Sequence, residues 1–63
     1  MHSAPFDDEA FSRVLATLNE RQARLYAAER ALVLGYGGRA RIVRLSGLSY
    51  PTLQRGVTDL WFG

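Results

Sequence analysis

The sequence predicts an all-α chain: a small four-helix bundle ending in a helix-turn-helix. Three observations predict it. Apolar residues recur at i, i+3, i+4 and i+7 in the N-terminal half. Capping residues and glycines punctuate the chain at helix-length intervals. The stretch Arg41–Asp59 has the form of two short helices joined by a glycine turn.

The first helix is expected over Phe6–Leu18. Asp7 or Asp8 can cap it, and acids suit the positive end of a helix dipole. Phe11, Val14, Leu15 and Leu18 form its apolar stripe. Such a stripe fits packing within the domain, or a dimer contact supplying a second half-site. Met1–Pro5, ahead of it, is expected to be a disordered tail.

Asn19-Glu20-Arg21-Gln22 has the form of a capping box, with Asn at the cap and Gln three residues on. It opens a second helix, Glu20 to about Leu34. Leu25, Tyr26, Ala27, Ala28, Ala31, Leu32 and Leu34 give it a broad apolar stripe, so it should be the central helix. Arg21, Arg24 and Arg30 with Glu20 and Glu29 are expected on its wet side, Glu20 and Arg24 as an i, i+4 pair.

Gly35-Tyr36-Gly37-Gly38 ends that helix. A phosphate loop is excluded, because such a loop follows a strand and carries a Lys, and this chain has no Lys. The expected role is a C-cap and a swing into the next helix. Tyr36 packs on the core or touches a backbone phosphate in this reading.

The third helix is expected from about Arg39 to Ser46, presenting Ile42, Val43 and Leu45 inwards. Gly47 then reverses the chain, where a positive φ is cheap only for glycine. Leu48 plugs the space under the turn. Ser49 is a good N-cap for the fourth helix, and Pro51 falls in its first turn, where a missing N–H costs little. Leu53, Val57 and Leu60 make the inward stripe. Ser49, Tyr50, Pro51, Gln54, Arg55 and Thr58 are left on the outward face by 3.6-residue geometry.

That face carries the functional expectation. Arg pairs bidentately with guanine, Gln with adenine, and hydroxyls reach phosphates or base edges. The expected DNA readers are Tyr50, Gln54 and Arg55, assisted by Ser49, Thr52 and Thr58. Arg39, Arg41 and Tyr36 are expected on phosphates. Arg39, Arg41, Arg44 and Arg55 form a segment with no acid among them, an electrostatic footprint for a polyanion. All eight basic residues are Arg, which a GC-rich codon bias also explains.

Sixty-three residues make one domain, 6–60, with 61–63 as an apolar tail. Trp61 and Phe62 would fold onto the bundle, form a dimer patch, or mark a truncation. Without cysteine there is neither a disulfide framework nor a thiolate metal site, and His2 stands alone. No catalytic residue, metal or cofactor is expected. No run reaches the ~20 apolar residues of a membrane span, and no signal peptide is visible, so the expected location is cytoplasmic, on the nucleoid.

Three motifs in order resemble a known family. They are Leu18-Asn19-Glu20-Arg21-Gln22-Ala23-Arg24-Leu25, then Leu34-Gly35-Tyr36-Gly37-Gly38, then Ser46-Gly47-Leu48-Ser49 with Thr52-Leu53-Gln54-Arg55-Gly56-Val57. Together they resemble the N-terminal region of ISAzo-type insertion-sequence transposases, over about Leu18–Leu60. The resemblance implies recognition of double-stranded transposon-end DNA by a truncated fragment. Its catalytic domain, with metal-binding carboxylates, would be missing from this chain. A homodimer is the alternative arrangement. Ser49-Tyr50 and Thr52 with Arg55 also resemble the readers of Lac-type repressors, which implies a stand-alone regulator. Two positions depart from the pattern: Val43 stands where a small Ala is usual, and Tyr50-Pro51 replaces more basic residues. A third reading, a helical protein-interaction module, rests on the first helix and Trp61-Phe62.

Overall fold

Asn19 sets the register of the central helix. Its Oδ1 accepts from the Gln22 N–H at 2.8 Å, and its own N–H donates to Gln22 Oε1 at 3.0 Å. This reciprocal box satisfies two groups that a bare helix end leaves open. The computed structural model describes residues 6–62. The expected tail at Met1–Pro5, and Gly63, lie outside the described residues. Four helices follow one another: α1 (Asp8–Leu15), α2 (Glu20–Leu34), α3 (Gly38–Ser46) and α4 (Tyr50–Phe62). No strand occurs among the described residues. The chain is an all-α domain whose last two helices are separated only by Gly47, Leu48 and Ser49.

Helix α1 is shorter than its apolar spacing suggests. Asp7 caps it, accepting from the amides of Glu9 and Ala10. After Leu15 the ladder tightens, with Thr17 and Leu18 bonding three residues back. The Thr17 hydroxyl competes for the Val14 carbonyl at 2.7 Å, and the capping box of α2 begins at once. Phe11 is the buried residue of α1, whereas Val14 is 42% exposed.

Helix α2 is central, packing most extensively on α4 and then on α3. Its buried positions are Ala27, Ala28 and Ala31, not the leucines. Leu32 and Val33 face solvent. The physical reason lies on the partner helices. Glycines of α3 and α4 meet these alanines at very short range. A Cβ added at Gly38 would lie 2.6 Å from the Ala31 carbonyl oxygen. One added at Gly56 would lie 2.7 Å from the Arg24 carbonyl oxygen and 3.1 Å from the Ala28 Cβ. Small residues on both sides let the backbones touch, so the contact stripe is narrow and the large apolar residues flank it.

The rest of the core is Phe11, Ile42, Leu53 and Val57, with Leu34, Val43, Leu45 and Leu48 packed against it. Phe11 sits between two rings, 5.6 Å from Phe6 and 5.4 Å from Tyr26, the latter stacked. Leu60 does not continue the inward stripe of α4; it is 41% exposed, and Gly56 takes the buried place beside Val57. The helix also continues through Trp61 and Phe62, both exposed, rather than ending in a separate tail.

Candidate nucleic-acid interface

The turn between α3 and α4 is built by three side-chain or backbone devices. Gly47 has φ 78° and closes α3 through its N–H to the Val43 carbonyl at 3.1 Å. Any residue with a Cβ would be strained there, although nothing lies within 4 Å to clash. The Ser46 hydroxyl accepts from the Leu48 amide. Ser49 then caps α4, its Oγ accepting from the Thr52 amide at 3.3 Å. These bonds set where α3 ends and α4 begins, and Leu53, Gly56 and Val57 are the side of α4 that is buried.

The face that remains outward carries Ser49, Tyr50, Pro51, Gln54, Arg55 and Thr58, all exposed. Thr52 is half-buried, its hydroxyl held 2.9 Å from that of Ser49. The Thr58 hydroxyl donates to the Gln54 carbonyl at 3.1 Å, so its lone pairs stay open to an external donor. The side chains of Gln54 and Arg55 make no hydrogen bond or ion pair among the described residues. Asp59, the one carboxylate of α4, turns aside to Arg24 on α2, at 3.5 Å. The outward face is therefore polar, hydrogen-bond-capable and free of negative charge.

The arginines divide into two groups. Arg13, Arg24, Arg30 and Arg41 have carboxylate partners. Hydrogen bonding to Arg30 holds the Glu29 carboxyl below its usual pKa. Arg24 leaves the wet side expected for it and bonds across to α4 rather than to Glu20. Arg21, Arg39, Arg44 and Arg55 carry no ion pair among the described residues and are exposed.

Arg41 belongs to the first group, and this changes the footprint expected from sequence. Its Nη2 and Nε donate to Asp8 Oδ1 at 2.6 and 3.0 Å. Its guanidinium lies 4.9 Å from the Phe6 ring centroid. Arg41 thus ties α3 to the start of α1, and its charge is locally compensated. The acid-free stretch of the sequence meets an acid in space, contributed by a residue 33 positions away. An exposed pair of this kind is worth up to ~1 kcal/mol and a cation–π contact a similar amount. Arg41→Ala should therefore lower domain stability by about 1 kcal/mol, with a smaller loss in high salt. Arg44→Ala should leave the thermal midpoint in place. Paired melts of the two variants, at two salt concentrations, check this.

Tyr36 stands at the tip of the turn between α2 and α3, fully exposed, between Gly35 and Gly37, both with positive φ. It does not pack on the core. Tyr36, Arg39 and Tyr50 line one open groove of about 390 Å3, floored by small residues including Ala31 and Ala40. The groove brings the start of α3 and the start of α4 to the same side of the molecule.

Sequence reasoning missed the small-residue seam and the Arg41–Asp8 tie. It also missed this groove, whose signal was only the pairing of two tyrosines with glycines and an arginine. Comparison with family models, with curated proteins and with solved structures returns no match. No helix among the described residues is long and apolar enough to cross a membrane. No cluster of three potential metal ligands occurs among them.

Proposed function

We propose that this domain binds double-stranded DNA, with the first turns of α4 in the major groove. One observation carries the reading: α4 follows a three-residue turn and turns an unpaired Gln54 and Arg55 outward, on a face without carboxylates. In this reading Arg55 pairs with guanine, Gln54 with adenine, and Tyr50 contacts a neighbouring base edge. Ser49, Thr52 and Thr58 assist with their hydroxyls. Arg39 and Tyr36 hold phosphates, while Arg41 stays with Asp8 and contributes stability instead. The biological setting proposed is end recognition by an insertion-sequence transposase, which rests on the three-motif resemblance alone.

A selection from random duplex DNA, followed by anisotropy titration of the enriched site, tests the reading. Arg55→Ala should weaken that site by about 1–3 kcal/mol and relax preference at one base pair. Arg39→Ala should weaken all sequences alike and flatten the salt dependence by about one unit of slope. Equal, sequence-blind losses from both variants would contradict the division of labour.

A second reading has its own observation. Leu60, Trp61 and Phe62 are 41%, 70% and 87% exposed at the end of α4. Three neighbouring apolar side chains of this size suit a protein partner or a second copy of the domain. A protein-interaction module would show no salt-dependent DNA affinity.

A further inference from the structure

The three tyrosines of the chain meet different fates. Tyr26 is stacked on Phe11 and absorbed by the core. Tyr36 and Tyr50 have no aromatic partner among the described residues, and both line the groove beside Arg39. Tyr36 is fully exposed and Tyr50 is 53% exposed, and neither belongs to the core cluster. Large aromatic side chains left in water near an unpaired guanidinium are poorly explained by stability alone.

We propose that this groove takes an unpaired nucleotide, so that the preferred ligand is a junction where duplex DNA runs into single strand. The groove volume, about 390 Å3, falls at the small end of ligand-sized clefts. Ala31, Gly35, Gly37 and Ala40 keep it open by having little or no side chain. No carboxylate lines it and Arg39 does, so its charge suits a phosphate. The exposed ring of Tyr36 suits a base, because every base has a π-face and stacking on tyrosine tolerates any sequence, while Tyr50 stays at the duplex edge of the groove. Tyr36 also borders a second hollow of about 200 Å3, with Gly38 and Arg41 at its edge. The unpaired arginine lies on the side of the larger groove, since Arg41 is held by Asp8, so the larger groove is the one suited to a strand.

Tyr50 is the first residue of α4, the helix proposed to enter the duplex. A strand leaving that duplex would reach the groove without crossing the rest of the domain. The inference rests on the nucleic-acid reading above, and its test separates the two.

The test compares three DNAs: a blunt duplex carrying the selected site, that duplex with a five-nucleotide thymidine extension, and that duplex with an abasic extension of equal charge. The thymidine extension should tighten binding about tenfold over the blunt duplex, and the abasic one by much less. Tyr36→Ala should bring the ratio of extended to blunt affinity close to one. Gln54→Ala should lower both affinities and keep the ratio. Circular dichroism of each variant confirms that the fold is intact. No gain from the thymidine extension, an equal gain from the abasic one, or a ratio unchanged in Tyr36→Ala would overturn the inference. A short thymidine strand that binds alone through Tyr36, while the blunt duplex does not bind, would support the nucleotide groove but overturn the junction preference and the duplex reading.

Discussion

Phe11→Ala should remove at least about a third of the domain's stability. Truncating a buried Phe costs about 3–5 kcal/mol, through lost transfer energy and the cavity left behind. A domain of this length has a total stability of roughly 3–9 kcal/mol, at ~0.05–0.15 kcal/mol per residue. Phe11 is 2% exposed and is the buried residue of α1. It also holds Phe6 and Tyr26 through ring contacts, so both lose a neighbour when it goes. The loss removes the ring that seats α1 against the core, and the Arg41–Asp8 pair is too weak to hold the helix by itself. Chemical denaturation with far-ultraviolet circular dichroism reads the effect. A midpoint within a few tenths molar of the parent would mean that α1 contributes little, and that the core is the α2–α3–α4 unit alone.

Gly56→Val should be nearly as damaging, for the opposite reason. At an ordinary exposed helix position, replacing glycine by alanine gains about 0.5–1 kcal/mol, and by valine somewhat less. At Gly56 the new Cβ would sit 2.7 Å from the Arg24 carbonyl oxygen and 3.0 Å from the Arg24 Cγ. The carbonyl belongs to the central helix and cannot swing away, so α2 and α4 must separate. Overpacking of this kind costs about 1–3 kcal/mol, and two further methyl groups put valine at the upper end. Separation would also pull the outward face of α4 out of register with the start of α3. Gly47→Ala makes the contrast: it has open space around it and a strained φ, so it should cost only about 1–2 kcal/mol. If Gly56→Val melts at or above the parent temperature, the close crossing of α2 and α4 is wrong.

These two variants mark the limit of what the residues reveal before folding. Local chemistry was readable. Asn19 with Gln22, Gly47 and Ser49 each state a helix boundary through bonds made within four residues, and the structure makes those bonds. The outward face of α4 was readable too, because helical periodicity alone assigns it. What failed depends on partners distant in sequence. An apolar stripe cannot say whether leucine or alanine faces the core. That is decided at Gly38 and Gly56, which look like weak points in a helix until α2 is laid against them. The same holds for Arg41, which finds its ion-pair partner in Asp8 on another helix, and for Leu60, which is 41% exposed although it continues the apolar spacing of α4. The groove of Tyr36, Arg39 and Tyr50 unites two turns separated by the whole of α3, so no spacing rule could announce it.

The central claim is that the outward side of α4 meets duplex DNA. The most direct test is a backbone amide chemical-shift map of the labelled domain, titrated with its selected duplex. The shifts should concentrate at Ser49–Thr58 and at Gly37–Arg39, with Leu60–Phe62 and α1 nearly still. Shifts centred instead on α1 and the last turn of α4, or a spectrum unmoved by saturating duplex at low salt, would contradict it.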